Sequence, residues 1–338
     1  MVFSTRSRLA LVCAALVMAG AGAVLKAPRA SGSIERMRAR AAEQHQATQV
    51  MARSLEAIRG ERARLRLPLD QAVDPNRTGI IGDEFTPLTT SLGEADAKRT
   101  SANPAFARVV TFYLQAAGVG RGDVVAVGAS GSFPGFVLAT LCAARALELE
   151  PVIIYSIGSS MYGANLPGFT FVDMLARLRA DGVLPYAIAA VSPGGDQDGG
   201  AGVLFDEDGE TLVAEARRSG LPMVEGGTLA ARIQWRLRAY ETAARGRPIR
   251  AFVNIGGASA SFGDTSSSLE VPNGLVSRWP AMPLSPTRGL IFEFAARGVP
   301  VIHLLHVRGL AKDNGLPYDP VPLPAPGRQE PAEAGSHD

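Results

Sequence analysis

The chain has 338 residues, 46% of them hydrophobic and 20% charged. That is enough for one large core or two modest ones, and it excludes a disordered, collagen-like or disulfide-stapled chain. The formal net charge of +2 conceals an asymmetry: residues 26–66 carry ten basic and four acidic side chains, whereas everything beyond carries 22 basic and 28 acidic. A body with that balance is no nucleic-acid binder by charge, and two cysteines, Cys13 and Cys142, neither frame a fold nor build a zinc site.

Arg6 and Arg8 precede an apolar run from Leu9 to Leu25, about the shortest stretch that crosses a bilayer as a helix. We read residues 1–30 as an uncleaved signal anchor, although Ala19, Ala21 and Ala23 offer Ala-x-Ala processing sites. The basic residues behind the run, Lys26, Arg29, Arg36, Arg38 and Arg40, oppose an outward orientation under the positive-inside rule. Residues 31–67 are Pro-free, rich in Ala, Arg and Glu, and closed by Pro68. They predict a membrane-proximal helix, either with a basic face on anionic headgroups or as a solvated stalk laced with ion pairs.

The polar connection from 68 to 104 is too long for an idle loop. It brings Arg77, Lys98, Arg99 and Thr100 together, with Lys98 one of only three lysines in the chain. Cations beside hydroxyls suit carboxylate or phosphate recognition; the plainer expectation is a surface loop whose Ser101 or Asn103 caps a helix from Pro104 to Ala117.

After Gly118 one unit repeats: an apolar β-branched run, a Gly/Ser turn, then a helical pattern. The predicted strands are 123–128, 151–157, 185–191, a short one at 222–225, 249–255 and 299–307. Runs this apolar, spaced by helices, predict an α/β fold: a three-layer, doubly wound, mainly parallel sheet over residues 68–316, preceded by the transmembrane and membrane-proximal helices. Residues 317–338, with six prolines, predict an extended surface tail and then disorder. Residues 262–286 form another long loop, a lid or an insertion.

Parallel topology puts the ligand site beyond the carboxyl ends of the strands, where the turns carrying Gly128, Ser130, Gly131, Ser132, Ser159, Ser160, Asn165, Gly256 and Gly257 fall. Glycines permit close backbone approach and helix N-termini offer free N–H groups, so the expected ligand is anionic, bound also by Arg77, Lys98, Arg99 and Thr100. No lysine follows a Gly-rich turn as a Walker A loop requires, and Gly128-x2-Gly131-x3-Gly135 is not the dinucleotide fingerprint, so no cofactor is expected. Ser130 or Ser132 stands at a strand-to-helix turn like a nucleophile elbow, with His306 or His303 as a base, though the Gly-x-Ser-x-Gly pattern is broken. His303 and His306 on one strand would point to opposite faces, and no metal site is expected from them.

Four ordered strings carry a resemblance: Asp74-Pro-Asn-Arg-Thr-Gly-Ile-Ile-Gly-Asp-Glu84, Ala97-Lys-Arg-Thr-Ser-Ala-Asn-Pro104, Val127-Gly-Ala-Ser-Gly-Ser-Phe-Pro134 and Ser160-Met-Tyr-Gly-Ala-Asn165. With them the chain, to about residue 318, resembles the poly-γ-glutamate system protein family, encoded beside the ligase and export components of bacterial poly-γ-glutamate synthesis. The resemblance implies a membrane-associated role in making, exporting or trimming that polymer, and brings no catalytic residues with it. The first expectation is an accessory component of the bacterial cytoplasmic membrane, single-pass with its body on the outer face, that binds the anionic γ-glutamyl polymer or its synthase and export components. The alternative is a γ-glutamyl hydrolase or transferase acting through a Ser nucleophile.

Overall fold

The computed structural model describes residues 29–204 and 209–325. The apolar run Leu9–Leu25 and the end of the tail lie outside the described residues, among which no helix is long and apolar enough to cross a membrane.

Helix α1 (Arg29–Arg64) matches the predicted membrane-proximal helix in length and plays a different part in its second half. Residues 33–42, in the first of two compact units, are exposed. From Glu43 onward the helix belongs to the second unit, which runs to the end of the chain. There Ala47, Val50, Met51, Leu55 and Ile58 are buried in the main hydrophobic cluster, at the three- and four-residue spacing that lines one helix face. This stretch is core rather than stalk, so the packed body begins well before residue 68.

The sheet is α/β with mostly parallel strands, as predicted. Strands β2 (Val124–Ser130), β3 (Glu150–Ser156), β5 (Ile188–Ser192), β6 (Ile249–Ile255) and β8 (Val301–Leu304) run parallel, and β7 (Gly274–Leu275) pairs antiparallel at one edge, in the order β5-β3-β2-β6-β8-β7. Alternation along β2 sends Val125, Val127 and Ala129 into one core and Ala126 into a second on the opposite face. On the first face lie α3 (Ala105–Ala116), α4 (Pro134–Ala146) and α5 (Phe171–Ala180); on the second lie α7 (Leu229–Ala244), the short α8 (Ser259–Phe262) and α9 (Gly289–Ala296). Helix α6 (Glu210–Arg218) follows β5. The predicted strand at 222–225 is only a bridge from Met223 to Val191. The last predicted strand is cut short: it ends at Leu304, and His306 caps α10 (Val307–Asp313) instead of lying on the strand with His303.

Several elements were not foreseen, and two of them shape the site. Residues 95–101 form helix α2 (Ala95–Ser101) rather than loop, while Asn103 accepts from the Ala105 N–H at 3.0 Å and so caps α3, as expected. A second, two-stranded parallel sheet joins β1 (Thr89–Ser91) to β4 (Ser159–Ser160).

The chain winds from β2 to β3 on one side and returns to β6 on the other, so the switch point falls at the carboxyl ends of β2 and β6.

Candidate functional site: a serine and a buried lysine

At that switch point lies a cavity of about 450 Å³, walled by the ends of β2 and β3 and by the segments 90–98, 194–196 and 257–259. Ser130, Ser132, Ser156, Ser160 and Lys98 line it.

Pairing between β1 and β4 places Ser160. Ser159 N–H donates to Leu88 O at 3.1 Å, Met161 N–H to Ser91 O at 3.0 Å, and Thr90 Oγ1 to Ser159 O at 3.2 Å. Ser160 N–H in turn donates to Ser132 Oγ at 3.0 Å, tying β4 to the turn before α4. Helix α2 places Lys98, and it approaches α4 across a glycine: a Cβ on Gly135 would stand 2.4 Å from Ser101 O, so no larger residue allows this contact. Lys98 Nζ then sits 2.6 Å from Ser160 Oγ and 3.7 Å from the centroid of the Phe133 ring.

Lys98 is 2% exposed. Burial, with no carboxylate to offset it, pushes its ammonium down to about 7. Near neutral pH the neutral amine is therefore accessible, and its lone pair can accept the Ser160 hydroxyl proton. A hydroxyl beside a neutral amine is an activated nucleophile with its base. Nearby, the N–H groups of Ser132 and Phe133, at the start of α4, donate to no acceptor among the described residues.

Beneath the 194–196 wall, Arg236 on α7 donates from Nη2 to Asp198 Oδ2 at 2.6 Å, with both side chains almost wholly buried. Ser156 Oγ and Ser192 Oγ donate to Asp198 Oδ1 at 2.9 and 2.6 Å, and Arg236 Nη2 reaches both hydroxyls. The network fixes the glycine-rich turn after β5.

Of the residues singled out from sequence, Ser130, Ser132, Lys98, Ser160 and Gly257 line the cavity. The imidazoles do not join them. His303 is buried with Nδ1 2.9 Å from Asn254 Nδ2, and burial pushes it down to about 4. His306 is exposed at the cap of α10 and outside the lining. Among the described residues no serine hydroxyl meets an imidazole; the group beside a serine is an amine.

The expected cationic cluster is also dispersed. Arg99 forms a bidentate pair with Asp319 at 2.7 and 2.5 Å, and Thr100 Oγ1 accepts from Asp319 N–H at 2.8 Å, so both hold the tail. Arg77 is exposed at φ 52° in a turn closed by Asp74, which accepts from Thr78 and Gly79. Neighbouring Asn76 bonds Pro320 O and Leu323 N–H, so this string too anchors the tail. Asn165 clamps the approach to β1 through Asp83 and Thr89, and Ser159 Oγ turns back to Ser160 O. Gly128 packs under Phe252, Gly131 N–H bonds Ser156 O, and Gly256, at φ 84°, abuts Ser130. Among the described residues no cluster of His, Cys, Asp and Glu could hold a metal ion.

The pairing of Lys98 with Ser160 escaped sequence reasoning, which treated both as ligand contacts. Its one signal was a lone lysine in a long segment poor in lysine. No protein-family model, curated protein or solved structure matches this chain.

Proposed function

We propose that this chain is a serine–lysine hydrolase or transferase of amide bonds, with Ser160 as nucleophile and Lys98 as its base. The observation that carries it is the 2.6 Å contact between Lys98 Nζ and Ser160 Oγ in a cavity where burial brings the amine to about 7. In the first step Ser160 Oγ attacks the carbonyl carbon, Lys98 takes the hydroxyl proton and passes it to the departing amine nitrogen, and the C–N bond breaks to leave an ester on Ser160. Water, or an acceptor amine in a transfer, then attacks that ester. Lys98 takes the attacker's proton and returns one to Ser160 Oγ as the acyl group leaves.

The substrate we propose is the γ-glutamyl chain, on the strength of the resemblance in residues 74–84, 97–104, 127–134 and 160–165. The location we propose is the bacterial cytoplasmic membrane, held by the apolar run Leu9–Leu25 with the body outside, beside the synthase and export components. A purely accessory polymer-binding role has less support, because Arg99 is engaged by Asp319 and Arg77 lies outside the cavity.

The test is incubation of the full chain with poly-γ-glutamate, following chain length and the appearance of new amino groups. Wild type shortens or transfers the polymer, and Ser160→Ala does not. Equal activity of the two proteins would overturn the assignment.

A further inference from the structure

One polar group in the cavity is left over by the chemistry above. Ser130 ends β2 at the switch point, is 3% exposed, and its hydroxyl has no hydrogen-bond partner. In register across the sheet stand Ser192, Ser156 and Ser130. The first two hydroxyls are consumed by Asp198 and Arg236; only the third is free. A buried hydroxyl without a partner is costly to keep, and one in a cavity lining is placed to be satisfied by a ligand.

The surroundings of Ser130 are donors. The free N–H groups of Ser132 and Phe133 open the 13-residue helix α4, whose cap position carries no side-chain cap, and the positive end of its dipole faces the same cavity. On the other side Gly256 abuts the hydroxyl, where a Cβ would come within 2.7 Å of Ser130 Oγ. The lining also holds two exposed carboxylates, Glu94 and Asp196, and no arginine. A ligand that is simply a polyanion suits the donors and offends these carboxylates.

We propose that the cavity binds the zwitterionic head of an α-amino acid, its carboxylate on Ser130 Oγ and the N–H groups of Ser132 and Phe133, its ammonium facing Glu94 and Asp196. This rests on the amide-bond chemistry assigned to Ser160 and Lys98, and it specifies the end of the substrate on which they act. In a γ-linked glutamyl chain every residue has a free α-carboxylate, but only the amino-terminal residue also has a free α-ammonium. Cleavage or transfer therefore takes place at that terminus, one γ-glutamyl unit at a time. A cavity of about 450 Å³ accommodates one such residue and the start of the next.

Calorimetric titration of the full chain with glutamate, glutarate and N-acetylglutamate tests the head-group claim without any turnover. Glutamate is expected to bind at least ten-fold more tightly than either analogue lacking the ammonium. Ser130→Ala and the near-isosteric Ser130→Cys are both expected to weaken glutamate at least ten-fold, and Glu94→Gln with Asp196→Asn to erase the preference over glutarate. Matching thermal melts of the variants would show that they fold. Binding of glutamate unchanged by both Ser130 variants, equal binding of glutarate, or no saturable binding would each overturn the proposal. Loss of polymer shortening in Ser160→Ala would stand regardless, so failure here is distinct from failure of the Ser160–Lys98 assignment.

Discussion

Replacing Lys98 by methionine should make the protein more stable and inactive at once. The unfolded chain holds this amine at the ordinary value of 10.5, and the folded chain lowers it to about 7. Between those values the unfolded state binds a proton that the folded state lacks, so wild-type stability rises with pH across that window. The burden of the buried ammonium is about 4 kcal/mol at pH 7, about 2 kcal/mol at pH 9, and nearly nothing above pH 10.5. Methionine carries none of it. The substitution loses the bond to Ser160 and the contact over the Phe133 ring, worth about 1 kcal/mol each, which leaves a net gain of about 2 kcal/mol at pH 7. Urea unfolding of both proteins over pH 7–10 measures the difference. A Lys98→Met protein less stable than wild type at pH 7, or a difference that does not shrink as pH rises, would refute the reasoning. A lysine kept for structure would give the opposite sign, whereas one kept for chemistry at the expense of stability gives this one.

Three other predictions address the frame around the site. Asn254 Nδ2 faces Gly256 O, which can only accept, so the His303 Nδ1 beside that amide must accept as well and the ring must be neutral. Because the folded value is about 4 against 6.5 unfolded, stability should fall by about 3 kcal/mol as pH drops from 6.5 to 4, and His303→Asn should lose that slope in thermal melts. Asp198→Asn leaves the Arg236 charge buried without its partner and should cost about 3–5 kcal/mol in urea unfolding, whereas breaking the solvent-exposed pair Arg247–Glu150 should leave the urea midpoint essentially unchanged. A fragment starting at Glu43 should fold, and one starting at Pro68 should not. The shorter fragment discards Val50, Met51, Leu55 and Ile58, on the order of 8 kcal/mol of burial and comparable to a whole domain's stability; circular dichroism and size-exclusion chromatography of both fragments check this.

The parallel sheet was legible because its strands are buried on both faces and read as unbroken apolar runs; β6 was bounded to the residue. The cavity was legible for the same reason, since β2 and β6 turn at its edge. What escaped the sequence was set by tertiary contact. Strands of two and three residues, β1 and β4, have no periodicity to show, yet their pairing carries Ser160 to Lys98. Helix α2 is a short segment enclosed by packing against α4, and nothing local marks Lys98 as buried. Arg77 and Arg99 looked like ligand groups because the partner that engages their segment, the tail at Asp319 and Pro320, lies more than 200 residues away in the chain. The inner half of α1 looked like stalk because its apolar face is narrow and rich in alanine.

The most direct measurement of the central claim is covalent labelling of the full chain with a small fluorophosphonate, followed by peptide mass spectrometry. The adduct should fall on Ser160. Its rate should lose about ten-fold per pH unit below 7 and level off above about 8, following the neutral fraction of Lys98, and Lys98→Arg should stop it because guanidinium stays charged. An adduct on Ser130 or Ser132, no adduct at all, or a rate indifferent to Lys98→Arg would contradict the account.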